Sequence, residues 1–217
     1  MSYRTLPYAP GETPDEPISL EEARQHCEAL AYGDSDIDPL TDAQFEAWIT
    51  AAREYCEDFL GLALVPKEIE WALDAFPRSD IRWLGCGGRD SAIEFPVWPV
   101  RELVFVGTGD PLTTDFVQLD AEGYLLDEFA FPPSVRPIGS WPTYSASPNN
   151  VRIRALVGYG VDSDGGEEVP KVIRQAMLLM VGHFYANRED SIDVALQSIP
   201  NGAMDLMRPR RVRKGMS

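Results

Sequence analysis

Apolar positions recur at spacings of three and four in four stretches of the chain, and each stretch predicts a helix. The first opens at Ser19, where Ser19 and Glu22 have the spacing of a capping box. Leu20, Ala23, Cys27, Leu30 and Ala31 form its stripe, and Gly33 ends it. The second runs from about Asp42 to Leu60, with Phe45, Trp48, Ile49, Ala52, Cys56, Phe59 and Leu60 on one side. Thr41 and Gln44 make its capping box and Gly61 stops it. The third, Val169 to Glu189, is apolar nearly all round. Ile173, Ala176, Met177, Met180 and Phe184 share one stripe, while Leu178 and Leu179 fall on the other side. Such a helix must be covered on more than one face, by its own domain or by a second chain. Pro170 suits its first turn, and Gly182 in its interior points to close backbone approach. A turn at Pro200, Asn201 and Gly202 precedes a short fourth helix, Ala203 to Met207.

From about Pro66 to Tyr159 the pattern changes to short apolar runs punctuated by Gly, Pro and Asp, which predicts a β region. Strands are expected at Glu68 to Asp74, Ile81 to Leu84, Ala92 to Val97, Val100 to Gly107, Phe116 to Leu119, Gly123 to Asp127 and Val151 to Tyr159. Cys86-Gly87-Gly88, Gly109-Asp110 and Asp120 to Gly123 supply the turns. Residues 132 to 150 read as a long proline- and serine-rich loop. Trp71, Trp83, Trp98 and Trp141 fall in this region, and most should anchor a small sheet core. The fold class is therefore α+β. A small helical bundle (19–65 and 160–207) carries an inserted antiparallel β module (66–159), with an extended N-terminal arm (1–18) and a basic C-terminal tail (208–217).

Charge alters this picture in one respect. The chain has 35 Asp and Glu against 19 Lys and Arg, a formal net charge of -16. Arg208, Arg210, Arg211, Arg213 and Lys214 hold five of those 19 cations in the last ten residues, so the body is more acidic than the whole. Such a body repels phosphate, which disfavours sequence-specific nucleic-acid binding. Cys27, Cys56 and Cys86 are odd in number and share no short spacing, so they read as reduced thiols of an intracellular protein without a zinc site. No apolar run approaches a membrane span, and the first residues have no signal-peptide pattern.

No catalytic motif survives inspection. GxSxG, HExxH and the P-loop are absent, and the glycine-rich GCGG has no helix behind it to bind phosphate. The alternating Asp34, Asp36 and Asp38 fail as a calcium loop, because the positions that need Gly and Glu hold Pro39 and Phe45. Glu54, Glu57 and Asp58 have the spacing of a solvated helix face, and His26 that of a boundary side chain. His183, Asn187, Arg188 and Glu189 form the densest polar group and read as bridging a helix end. No cofactor, metal or enzymatic activity is expected.

The segments SLEEARQH, WITAAREYCEDFLG, VRIRALVGYG, VPKVIRQAMLLMVGHFYANRE and IPNGAMDLMRPRR, taken in order, resemble the head-tail connector (adaptor) family of tailed bacteriophages. They cover both helical ends and the last β segment, about half the chain; Lys67 to Asn150 carries least of the likeness. The resemblance implies a structural virion protein, assembled in the host cytoplasm. It implies a ring, commonly of twelve copies, with the portal protein above, a tail or stopper protein below, and DNA passing through without sequence-specific binding. The portal-docking residues would then be Arg208, Arg210, Arg211, Arg213 and Lys214. Leu178, Leu179, Gly182, His183, Tyr185, Arg188 and Glu189 would face the neighbouring subunit. The alternatives are a tail-completion or terminator protein of the same channel, or a carbohydrate-binding or hydrolytic β module.

Overall fold

The structure is a computed structural model that describes residues 3–8, 15–30, 42–77, 91–109, 116–143, 147–160, 168–187 and 201–212. The expected strand Ile81 to Leu84 with Trp83, the Cys86-Gly87-Gly88 turn, the acidic connector with the Thr41 cap, and Arg188, Glu189, Arg213 and Lys214 lie outside these residues. The fold is α+β, with four α-helices and two antiparallel sheets among the described residues. Two compact units divide the chain, one drawn from Met1–Thr13 and Pro66–Gly158, the other from Pro14–Val65 and Tyr159–Ser217.

The helical unit contains α1 (Leu20–Leu30), α2 (Asp42–Leu60), α3 (Lys171–Ala186) and α4 (Asn201–Met207). The α1 capping box forms as the sequence predicts: the Ser19 amide donates to Glu22 Oε2 at 2.8 Å and the Glu22 amide to Ser19 Oγ at 3.1 Å. Two otherwise orphaned amides are thereby satisfied. Helix α3 packs against α1, α2 and α4, which makes it the hub of this unit. It begins at Lys171 rather than Val169. Pro170 is its N-cap, with extended backbone (ψ 134°), and its carbonyl accepts from the Ile173 and Arg174 amides. Proline therefore stands just outside the first turn. Ile173, Ala176, Met177 and Met180 are fully buried, together with Ala23, Cys27, Ile49, Ala52, Cys56 and Leu60 from the first two helices. Phe184, placed on the core stripe by its spacing, is only half-buried.

The β unit has a five-stranded sheet in the order β1-β2-β8-β4-β5 and a three-stranded sheet in the order β3-β7-β6. The strands are β1 (Tyr3–Thr5), β2 (Lys67–Leu73), β3 (Ile93–Glu94), β4 (Val100–Gly109), β5 (Phe116–Gln118), β6 (Tyr124–Asp127), β7 (Ser134–Pro137) and β8 (Val151–Val157). Strict alternation on β8 buries Val151, Ile153, Ala155 and Val157 and turns Arg152, Arg154 and Leu156 outward, as a half-buried strand requires. Two register shifts along the β4–β8 ladder bend β4 across its neighbour. Ile69, Trp71, Val106 and β8 form the core of the larger sheet, and Trp71 meets Phe95 edge-on at 5.2 Å between ring centroids. On the opposite face Arg4, Glu70, Arg154 and Phe105 stand in adjacent register across four strands. Arg4 Nε donates to Glu70 Oε2 at 2.7 Å, and Arg154 lies over the Phe105 ring at 4.9 Å.

Two strands depart from the sequence reading. Residues Tyr3–Thr5, expected within an extended arm, form the antiparallel edge strand β1 on β2. The strand is held further by the Leu6 amide to the Glu68 carbonyl and by Tyr8 Oη to the Pro66 carbonyl. Ser134–Pro137, expected to be loop, form β7, the centre of the smaller sheet, with Val135 fully buried. Neither run alternates over enough residues to signal a strand, and Pro133 and Pro137 hide β7 among loop composition.

Candidate assembly surfaces

In the helical unit the surface of α3 is narrow. Lys171, Gln175 and Ala186 are its exposed residues, and Leu178 and Leu179 are half-buried; at 100° per residue all five fall on one stripe together with Gly182. Gly182 itself is buried by this chain, so the free surface of the stripe lies at the two leucines rather than at the glycine. Tyr185 is engaged inside the unit: its ring stacks on Phe45 at 6.3 Å and meets Trp48 edge-on at 6.4 Å. His183 Nδ1 stands 3.1 Å from Asn187 Nδ2, and the Asn187 amide group also donates to the His183 carbonyl, closing the end of α3.

The start of the basic tail is tied down. Arg208–Arg210 form a 3-10 turn that continues α4, and the Val212 amide donates to the Leu60 carbonyl at 2.9 Å. This bond satisfies a carbonyl that the end of α2 leaves open. Gly61, at φ +73°, reverses the chain there, in the left-handed region that favours glycine. Arg211 lies over the Phe59 ring at 5.0 Å. Arg208 and Arg210 remain exposed, Arg208 within 3.4 Å of Asp205.

Glu57 corrects the reading of Glu54, Glu57 and Asp58 as one solvated face. Glu54 and Asp58 are exposed, but Glu57 is buried; its Oε1 accepts the Leu64 amide at 2.7 Å and its Oε2 meets Arg53 Nη1 at 3.2 Å. Arg53 also donates through Nε to both carboxylate oxygens of Glu16, at 3.2 and 2.9 Å. The network holds the turn after α2 in place. The amide that Glu57 accepts belongs to Leu64, beyond the end of α2 at Leu60, so the pattern of the helix itself does not announce it.

Cys27 and Cys56 are free and buried. Burial pushes the Cys27 thiol up to about 11 and the Cys56 thiol up to about 12, the latter with a smaller contribution from the Glu57 carboxylate beside it. Cys56 Sγ rests 3.8 Å from Met180 Sδ. Neither thiol is a nucleophile at neutral pH. Among the described residues no group of three or more His, Cys, Asp or Glu is placed to hold a metal ion, and no helix is long and apolar enough to cross a membrane.

In the β unit Trp71 and Trp141 are buried and Trp98 is half-buried. Trp141 stacks on Phe76 at 4.6 Å and donates its indole N–H to the Ser91 carbonyl at 2.6 Å, so it serves the core of its own unit. Among the described residues the two most exposed large apolar side chains, Phe129 at 101% and Phe131 at 78%, both lie at the turn between β6 and β7. The run Phe129-Ala130-Phe131 between Glu128 and Pro132 was the one available signal, because a turn seldom spends two phenylalanines without a partner.

These elements define an α+β chain whose helical bundle is interrupted by an antiparallel β insert, and solved structures share this fold over its whole length. A chain of a native gene transfer agent virion superimposes with a TM-score of 0.70 at 22% identity. A chain from the neck of an empty gene transfer agent particle, computed with C6 symmetry, gives 0.71 at 21%, and one from the neck of a native particle, computed with C12 symmetry, gives 0.66 at 22%. In each case 100% of this chain and 99% of the other are covered. No protein-family model and no curated protein matches the sequence.

Proposed function

We propose that this chain is a structural head-tail connector of a tailed phage or phage-like particle. Copies of it form a ring, of twelve subunits, under the portal, extend the DNA channel and join head to tail. The observation that carries the reading is the end-to-end likeness to chains of gene transfer agent necks, which takes in the β insert as well as the bundle. The acidic composition is consistent with a channel wall that does not hold passing DNA, since affinity would need Lys and Arg at phosphates.

In this reading Leu178 and Leu179 on the open stripe of α3, with His183, Arg188 and Glu189 near its end, meet the neighbouring subunit, while Tyr185 is held by Phe45 and Trp48 of its own unit. Arg208, Arg210 and Arg211, with Arg213 and Lys214 beyond them, pair with acidic groups of the portal. Native mass spectrometry of the purified protein, alone and with portal protein, tests the proposal. The expected result is a closed ring or a stoichiometric complex with the portal; monomer under both conditions overturns it.

A further inference from the structure

Arg152 stands apart from the acidic chain around it. In a protein of net charge -16 its guanidinium meets no carboxylate among the described residues; it lies over the Phe116 ring, 3.9 Å from the centroid. Its register neighbours on the outward face of the larger sheet are Ala72 on β2 and Gly107 on β4, neither of which has a side chain long enough to shield it. Two residues on, Arg154 lies over the Phe105 ring and 3.8 Å from Glu68 Oε1. Each guanidinium is held by an aromatic face, which leaves N–H donors at its rim for a further carboxylate and lowers the cost of ordering it. Phe105 and Leu156, half-buried on the same face, add apolar ground.

A complementary surface lies on α2. Ala43, Ala47, Ala51, Glu54 and Asp58 are all exposed and fall within a stripe about 80° wide. The three alanines let the helix come close to a sheet. Asp58 meets no cation among the described residues, and Glu54 is 3.9 Å from Arg53 Nη2, a distant pair. Glu54 and Asp58 are about 6 Å apart along the helix axis, and Arg152 and Arg154 about 6.6 Å apart along β8. A helix laid along β8 therefore brings two carboxylates to two arginines at once, in the helix-on-sheet layering that domains commonly use. Each copy carries both the sheet face and the helix stripe, as a head-to-tail ring contact requires.

Resting on the ring reading above, we infer that the α2 stripe of one subunit packs on the outward face of the five-stranded sheet of the next, with Asp58 on Arg152 and Glu54 on Arg154.

Charge reversal at the pair without partners in its own chain tests this, with circular dichroism to check the fold. Native mass spectrometry across a concentration series should show full-length Arg152→Glu and Asp58→Arg each assembling only at about tenfold or higher concentration than the parent, because each sets like charges against each other. An equimolar mixture of the two should assemble near the parent's concentration, since every contact between unlike copies again pairs opposite charges. Should a reversal disturb the fold, Arg152→Gln and Asp58→Asn replace it: each should weaken assembly, and their combination no more than either alone. Single reversals that form rings at the parent's concentration overturn the inference and leave the ring standing. Loss of rings without rescue in the mixture, or Gln and Asn effects that simply add, also overturns it, because the two residues then do not meet across the contact. If the parent binds double-stranded DNA in fluorescence anisotropy and Arg152→Glu does not, while its rings form normally, the occupant is phosphate and the inference falls. A parent that stays monomeric, alone and with portal protein, overturns both readings.

Discussion

The Val212 amide donates to the Leu60 carbonyl at 2.9 Å, so the basic terminus begins as a clasp on the end of α2 and not as a free tail. Truncation should therefore separate two roles. Removing 213–217 should leave stability within about 0.5 kcal/mol of the parent, whereas cutting before Arg211 also removes this bond and the Arg211–Phe59 contact. That loss should cost about 1–2 kcal/mol in urea unfolding. Equal stability of the two truncations would show that the clasp contributes nothing.

Glu57→Ala should be among the most damaging single changes on α2. It leaves the Leu64 amide without its acceptor and strips one carboxylate from Arg53, in a buried setting. About 2–4 kcal/mol should be lost. Asp58→Ala, on the exposed face one residue on, should fall within about 0.5 kcal/mol. Urea midpoints of the two variants provide the comparison.

Gly107→Ala should loosen β5. A Cβ at Gly107 would lie 2.6 Å from the Val117 carbonyl oxygen and 2.4 Å from the Phe105 ring, and the former is backbone that moves only if β5 moves. The expected cost is about 2 kcal/mol or more. Amide exchange should accelerate at 116–118 before it changes on β8; unchanged protection there would mean that the strand adapts.

The buried thiols make stability fall at alkaline pH. Their folded values of about 11 and 12 lie above the ordinary 9.0, so the folded state keeps protons that the unfolded state releases. Below pH 9 the two states bind these protons alike and nothing is lost. Above it each thiol removes about 1.4 kcal/mol per pH unit until its folded value is reached. Cys56→Ala should have a shallower decline in urea midpoint between pH 9 and 11 than the parent, and parallel curves would refute the assignment.

Leu178→Arg should leave the monomer folded and block assembly. The side chain is half-buried on the open stripe of α3, so the added charge reaches solvent in the monomer and meets an apolar partner in the ring. Sedimentation velocity would read the loss of the ring; a variant that assembles like the parent would remove this stripe from the interface.

Helix positions were legible because their signals are local. The Ser19–Glu22 box and the bounds of α2 at Asp42 and Leu60 stand as the sequence pattern places them. What escaped depends on partners distant in sequence. Tyr3–Thr5 is a strand only because β2 offers an edge, and all three of its side chains are exposed, so no alternation marks it. Glu57 looks like any surface carboxylate until the chain turns back at Gly61 and brings the Leu64 amide to it. Ser134–Pro137 is hidden by prolines that are tolerated at strand ends. Phe129 was passed over for the opposite reason, since its environment is solvent and no pattern of burial encloses it.

Within the helical unit the Tyr159 amide donates to the Ala63 carbonyl at 3.2 Å, and within the β unit Lys67 and Val157 are a register pair. The chain thus leaves the bundle and re-enters it at neighbouring points, through a ladder that already holds both strands together. To the bundle, everything from Pro66 to Gly158 is a loop whose closure entropy is met inside the loop itself. The insert is in this sense a cartridge, completed by the edge strand β1 that residues ahead of α1 bring to it.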